Sequence, residues 1–307
     1  MLKRKLFGNP IFSEVEDNNN KKPKLEQIQD LLDLSLGNCS PGDVSKYFPN
    51  LPKEPVRTVQ DKVLDLQLEL NRNLRTLSLK TPPVEYIYNP LEYAFHPNTN
   101  FITKYCTTTK KILFIGMNPG PFGMCQTGVP FGDPRWVRDW LQIDGIVSKP
   151  EVECPERKIL GFSSTRREQS GERFWSYFAS LCGRPEVFFK YSFVCNFCPL
   201  ALMKVNGCNV TPAEIKDMKI RKILEAACDD WYLKLIRVLQ PEIIVAIGTY
   251  IEKKTKDLFK THSVDGITVA YMPHPSPRAV NNQNWHEKAE AFLVNNNLMP
   301  YFLNHGE

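Results

Sequence analysis

The sequence predicts an α/β fold built on a mainly parallel sheet with helices on both faces. Four short apolar runs carry this reading: 111–117 (KILFIGM), 187–196 (VFFKYSFVCN), 242–248 (EIIVAIG) and 267–272 (ITVAYM). Each is the length of a buried strand and is rich in β-branched or aromatic residues. Helical stretches separate most of them, and strands that alternate with helices assemble parallel sheets.

In chain order, residues 1–57 read as a disordered tail, with an asparagine run at Asn18, Asn19 and Asn20, six prolines and little apolar periodicity. Its basic clusters, Lys3-Arg4-Lys5 and Lys21-Lys22-Pro23-Lys24, fit short nuclear-import signals, so a nuclear protein is expected; a solvated tail without a targeting role is the other reading. Leu31, Leu32, Leu34 and Leu36 allow a helical turn or two. A single domain is expected over 58–307. Val63, Leu66, Leu70, Leu74 and Leu77 recur at three- and four-residue spacing, the stripe of an amphipathic helix that ends before Pro82-Pro83. Further helices are expected over 172–182 and 285–295. Another should start at the capping box Thr211-Pro212-Ala213-Glu214 and run towards Leu239.

Composition narrows the function. The chain of 307 residues is 42% hydrophobic, enough for a sizeable core, and no apolar run approaches the roughly 18 residues a membrane span needs. The expectation is a soluble intracellular protein with no membrane association. A net charge of +5 suits a polyanionic partner without requiring one. The nine cysteines are scattered, and their one close pair, Cys195 and Cys198, lacks a second pair or a histidine at finger spacing. They read as reduced thiols packed as small hydrophobes, and no metal is expected.

The unusual chemistry lies just after the predicted strands. The segment Gly116-Met117-Asn118-Pro119-Gly120-Pro121-Phe122-Gly123 follows the first, Asn196-Phe197-Cys198-Pro199-Leu200 closes the second, and Pro273-His274-Pro275-Ser276-Pro277-Arg278 follows the fourth. Parallel sheets bind ligands outside the carboxyl ends of their strands, so these loops are placed to share one crevice. The first is neither a dinucleotide fingerprint nor a Walker loop. Its glycines permit close backbone approach and its prolines stiffen it. Asn118 offers an acceptor and a donor, suited to holding a water or to capping a turn. His274, between two prolines, is suited to donating towards a developing anion, or to a structural role.

Together GMNPGPFGMCQTGVPFGD (116–133), NFCPL (196–200) and HPSPR (274–278) resemble the single-strand-selective monofunctional branch of the uracil-DNA glycosylase superfamily. The likeness extends over about residues 86–303 and includes YNPLEYA (88–94) and an Arg173-Phe174-Trp175 turn. It implies a three-layer α/β/α sandwich around a four-stranded parallel sheet. It also implies a cofactor-free, monomeric hydrolase that flips uracil and 5-substituted uracils, such as 5-hydroxymethyluracil, out of single- and double-stranded DNA. By motif match, Asn118 positions the attacking water and His274 donates to O2 of the departing base. Asn196 reads the uracil edge, Phe131 stacks on the ring, and Met117 and Gly120 line the 5-position. Pro275, Ser276, Pro277 and Arg278 form the segment that wedges into DNA. No Schiff-base lysine stands in the three loops, since Lys110 and Lys111 precede the first strand, so base removal without strand cleavage is expected. Cys195 replaces a histidine expected in relatives, on the strand face opposite to Asn196. Competing readings are a mismatch-directed thymine or uracil glycosylase, a non-catalytic DNA-binding relative, and a Rossmann-like nucleotide enzyme. The last is disfavoured by the missing phosphate loop.

Overall fold

A computed structural model describes residues 57–279 and 282–303. The stretch up to Val56, with its basic clusters and leucines, lies outside the described residues.

Helix α1 (Val59–Arg75) starts where the side chain of Thr58 accepts from the backbone of Asp61, whose carboxylate accepts in return from Thr58 N. This capping box satisfies two of the helix's unpaired donors. Val63, Leu70 and Leu74 bury the predicted stripe. Strand β1 (Tyr86–Tyr88), the single-turn helix α2 (Pro90–Tyr93) and helix α3 (Phe95–Tyr105) lead to β2 (Ile112–Gly116). After β2 come a short helix, α4 (Met124–Thr127), then α5 (Gln169–Cys182), α6 (Pro185–Tyr191) and β3 (Ser192–Asn196). Then follow β4 (Ala201–Met203), β5 (Asn209–Val210), α7 (Met218–Leu239), β6 (Ile243–Ile247), α8 (Thr249–His262), β7 (Thr268–Met272) and α9 (Trp285–Asn295).

The main sheet has order β3-β2-β6-β7 and every pairing is parallel. Parallel pairing aligns the carboxyl ends of the strands, so the chain leaves β2, β3 and β7 on one edge. Side chains alternate across the pleat. Phe114 projects to one face, in ring contact with Phe174 and Phe178 of α5, Phe188 of α6 and Phe302. On the other, Phe193 stacks on Phe101 of α3, and α1 packs across α7 with Glu69 bridging to Lys234. This is the expected sandwich.

Four expectations need correction. The run 187–196 is not one strand: its first half completes α6, which Pro185 opens at the first helical position, and only Ser192–Asn196 is extended. A continuous apolar run has no period to distinguish helix from strand. The capping box at Thr211 forms, but it closes a single 3-10 turn, Pro212–Glu214. Buried Ile215 is extended there, and α7 starts afresh at Asp217, whose carboxylate accepts from Lys219 N and Ile220 N. Strand β7 is at the sheet edge and exposes Thr268 and Tyr271, so it is only half buried. Arg173-Phe174-Trp175 lies within α5 and is not a turn. A small antiparallel sheet of order β1-β4-β5 was not anticipated.

Candidate active site

The loops after β2 and β3 are tied together by backbone bonds from Phe197 N to Gly116 O (2.8 Å) and from Cys198 N to Met117 O (2.9 Å). With the loop after β7 they enclose a cavity of about 490 Å³, within the range of small-ligand sites. Met117, Asn118, Gly120, Phe131, Asn196, His274, Ser276, Pro277 and Arg278 line it. Pro275 does not: it is buried beneath the loop, and its carbonyl accepts from Arg173 Nη1.

Asn118 is held by its amino group. Nδ2 donates to the carbonyls of Leu200 and Val210, both at 3.4 Å. Because both partners only accept, the amide orientation is fixed and Oδ1 is left to accept from a water. Val210 belongs to β5, so the unanticipated small sheet sets the aim of this side chain.

Asn196 ends β3, on the strand face shared with Phe114 and Gly116. Its Nδ2 lies 3.2 Å from Met124 Sδ, a weak acceptor, and the residue is 7% exposed. Gly116 is required beside it. A Cβ there would stand 2.4 Å from Asn196 Oδ1 and 3.1 Å from Phe131 Cζ. Phe131 adopts a φ of 53°, a left-handed conformation uncommon for a bulky residue. Its ring stacks on Phe174 at 4.9 Å and 14° and approaches the His274 ring at 6.1 Å. Neighbouring Cys195 packs into the hydrophobic core, where burial raises its thiol pKa well above the ordinary value.

His274 has a defined tautomer. Ser276 N donates to Nδ1 at 3.0 Å, so Nδ1 accepts and the proton of the neutral ring is on Nε2. Burial lowers the pKa to about 4, which keeps the ring uncharged at neutral pH. The loop is clamped from behind. Asn282 Nδ2 donates to the carbonyls of His274 and Ser276, Arg173 Nη1 to those of Pro275 and Asn282, and Trp285 Nε1 to that of Pro273. The site therefore holds an anchored amide acceptor, a buried second amide, an aromatic plane and a neutral N–H donor.

Several cavity residues lie outside the sequence expectations. Arg157, Arg166 and Arg167 join Arg278 around the cavity, and the guanidiniums of Arg157 and Arg166 lie 5.2 and 5.0 Å from the Phe122 ring. Four cations and an aromatic ring suit a polyanion carrying stackable bases. Glu168 is another such residue. Its Oε1 accepts from Ser170 N at the start of α5, and its amide donates to Asp133 Oδ2. Burial raises its carboxyl pKa above the usual range. The Arg166-Arg167-Glu168 run was the one signal available. Among the described residues no lysine lines the cavity. Lys110 precedes β2 at the opposite edge of the sheet, donates to the carbonyl of Phe189, and is lowered in pKa by burial. Among the described residues no helix is long and apolar enough to cross a membrane.

The model of the uracil DNA glycosylase superfamily matches residues 103–297. The chain is 39% identical to the single-strand selective monofunctional uracil-DNA glycosylase of Rattus norvegicus over 271 residues, covering 87% of this chain and 95% of the relative. It is 40% identical to the Mus musculus protein of that name over 260 residues, covering 83% and 91%. Among solved structures it is similar to SMUG2 of Pedobacter heparinus, with a TM-score of 0.53 at 20% identity, over 79% of this chain and all of that one. That last likeness concerns the fold alone.

Proposed function

The chain belongs to the uracil-DNA glycosylase superfamily, in its single-strand-selective monofunctional group, and from that premise we propose that it hydrolyses the N-glycosidic bond of uracil in DNA, leaving the strand intact. The observation that carries this reading is the convergence of Asn118, Asn196 and His274 on one cavity beside Phe131. In this reaction uracil departs as an anion with charge at O2, while the deoxyribose gains oxocarbenium character at C1′. Asn118 Oδ1 holds the attacking water against C1′. It is no strong base, and a cation-like sugar accepts a weak nucleophile. The Nε2–H of His274 stabilises the charge at O2, in the manner of an oxyanion-hole donor. Asn196 accepts from N3–H and donates to O4, a pairing that cytosine mismatches at both atoms. Phe131 stacks on the everted ring, a contact worth roughly 1–3 kcal/mol per base.

The substrate range proposed extends to 5-hydroxymethyluracil and to double-stranded DNA. Pro277 and Arg278, exposed at the cavity rim, fill the gap that base extrusion leaves. Unstacking costs a few kcal/mol, so weakly paired bases are favoured. That none of the described residues lining the cavity is a lysine supports a reaction without a Schiff base and hence without strand cleavage. The protein is proposed to act as a monomer in the nucleus, without a cofactor.

The test is incubation with a uracil-containing single-stranded oligonucleotide, with and without EDTA. The expected result is free uracil and an intact abasic strand that breaks only on alkali treatment, at the same rate in both samples. No released uracil, or a strand broken without alkali, contradicts the proposal.

A further inference from the structure

We propose that Glu168 decides which 5-substituted uracils the cavity accepts, its carboxylate receiving a hydrogen bond from a 5-hydroxymethyl group and excluding the methyl of thymine. The inference rests on the function proposed above. The proposed substrate 5-hydroxymethyluracil carries a larger substituent than the methyl of thymine, so to accept the first and exclude the second the cavity would have to admit the larger group and reject the smaller. Steric blocking cannot do this. The two substituents differ by one hydroxyl, so the discriminating group must be polar and must face the 5-position.

Glu168 meets that requirement. The backbone of Gly120 lines the cavity and carries no side chain to close it. The direction a side chain would take is already filled: a Cβ on Gly120 would stand 2.6 Å from Glu168 Oε2. A Cβ on Gly123 would stand 2.7 Å from Glu168 Cγ. Its whole side chain thus lies in the notch that these two glycines leave under the first loop. Its position is pinned at both ends, by Asp133 on the backbone amide (3.0 Å) and by Ser170 N on Oε1 (3.3 Å). The Ser170 side chain also bonds to the carboxyl, and a carboxylate with about four lone-pair sites can still accept from a ligand at Oε2 beside Gly120. A hydroxyl donating to a carboxylate forms a charge-assisted bond, among the stronger ones in proteins. A methyl placed there displaces water from the carboxylate and returns no bond, which leaves a buried acceptor unsatisfied. The raised carboxyl pKa, caused chiefly by burial, fits a group with little water to lose before the penalty is felt.

The experiment compares kcat/KM for uracil, 5-hydroxymethyluracil and thymine in one single-stranded sequence, for wild type, Glu168→Gln and Glu168→Leu. Ratios within each variant cancel any loss of active protein. Glu168→Leu is expected to lower the hydroxymethyluracil-to-uracil ratio at least about tenfold and to raise the thymine-to-uracil ratio by a similar factor. Glu168→Gln keeps the size of the side chain and an oxygen for Ser170 N but loses the charge, and should lower the first ratio about threefold or more. Should the leucine variant fail to fold, as judged by its melting curve, the glutamine variant decides. Ratios within twofold of wild type in every folded variant overturn the role of Glu168. A wild-type protein that releases no uracil overturns the underlying function instead.

Discussion

Replacing His274 with Gln should abolish most of the rate while leaving the loop in place. The loop after β7 is held by bonds that do not involve the imidazole, from Asn282, Arg173 and Trp285 to the carbonyls of residues 273–276 and 282. What the substitution removes is a rigid donor, the Nε2–H whose position the bond from Ser276 N to Nδ1 fixes. Loss of one such donor to developing charge typically costs about 10²–10³ in kcat, or about 3–4 kcal/mol. The pH dependence follows from the depressed pKa. With the ring charging only near pH 4, kcat/KM for wild type should be level from pH 8 to about pH 5. Below that, an Nδ1–H would face the Ser276 N–H and the loop bond would break. Stability carries the same signature. The unfolded chain protonates His274 near pH 6.5 and the folded chain near 4, so the unfolded state binds more protons between these values and stability falls as the solution is acidified. The loss reaches about 3 kcal/mol once pH 4 is passed. Single-turnover kinetics and urea melts at stepped pH, for wild type and His274→Gln, measure both effects. A wild-type activity profile with a midpoint near pH 6.5, or a variant within tenfold of wild type, would show that His274 is not the neutral donor to O2.

Three further outcomes are expected. Gly116→Ala drives a methyl into Asn196 Oδ1 and the Phe131 ring; it should destabilise the fold by about 1–3 kcal/mol and lower uracil release at least about tenfold, as read by melting and by kinetics, and normal activity would mean that Asn196 does not contact the base. Asn118→Ala should cut turnover by about 10²–10³ with single-strand affinity little changed in a binding titration; equal losses of both would make its role structural. Arg166→Ala should weaken binding to undamaged and uracil-bearing strands alike and reduce the slope of log affinity against log salt by about 0.7 for each phosphate that is no longer neutralised, whereas an unchanged slope would remove this arginine from the DNA path.

The chemistry was legible where it followed a strand. Asn118, Asn196 and His274 stand at the carboxyl ends of β2, β3 and β7, and a parallel sheet brings such ends to one edge whatever the sequence between them. Glu168 and Arg157 follow no strand. They reach the cavity from the long segment between α4 and α5, whose path depends on tertiary packing such as the pinning of Glu168 N by Asp133. The three strands of the small sheet have two or three residues each, too few to carry a period, yet they set the carbonyl that holds Asn118. Helix α8 escaped notice because its sequence is dominated by lysines and other polar residues, with four buried positions in fourteen. The split of 187–196 shows the opposite limit, an apolar stretch in which helix and strand are equally well written.

In the proposed reaction an everted uracil lies between Asn118, Asn196 and His274 with Phe131 against its face. A crystal structure of the wild-type chain with a single-stranded oligonucleotide carrying a 2′-fluorinated deoxyuridine, whose glycosidic bond resists cleavage, is the decisive measurement. The base should occupy the cavity, with O2 within hydrogen-bond distance of His274 Nε2, O4 and N3 facing the Asn196 amide, and a water on Asn118 Oδ1 beneath C1′. A base bound elsewhere, or O2 turned away from His274, would rule this placement out.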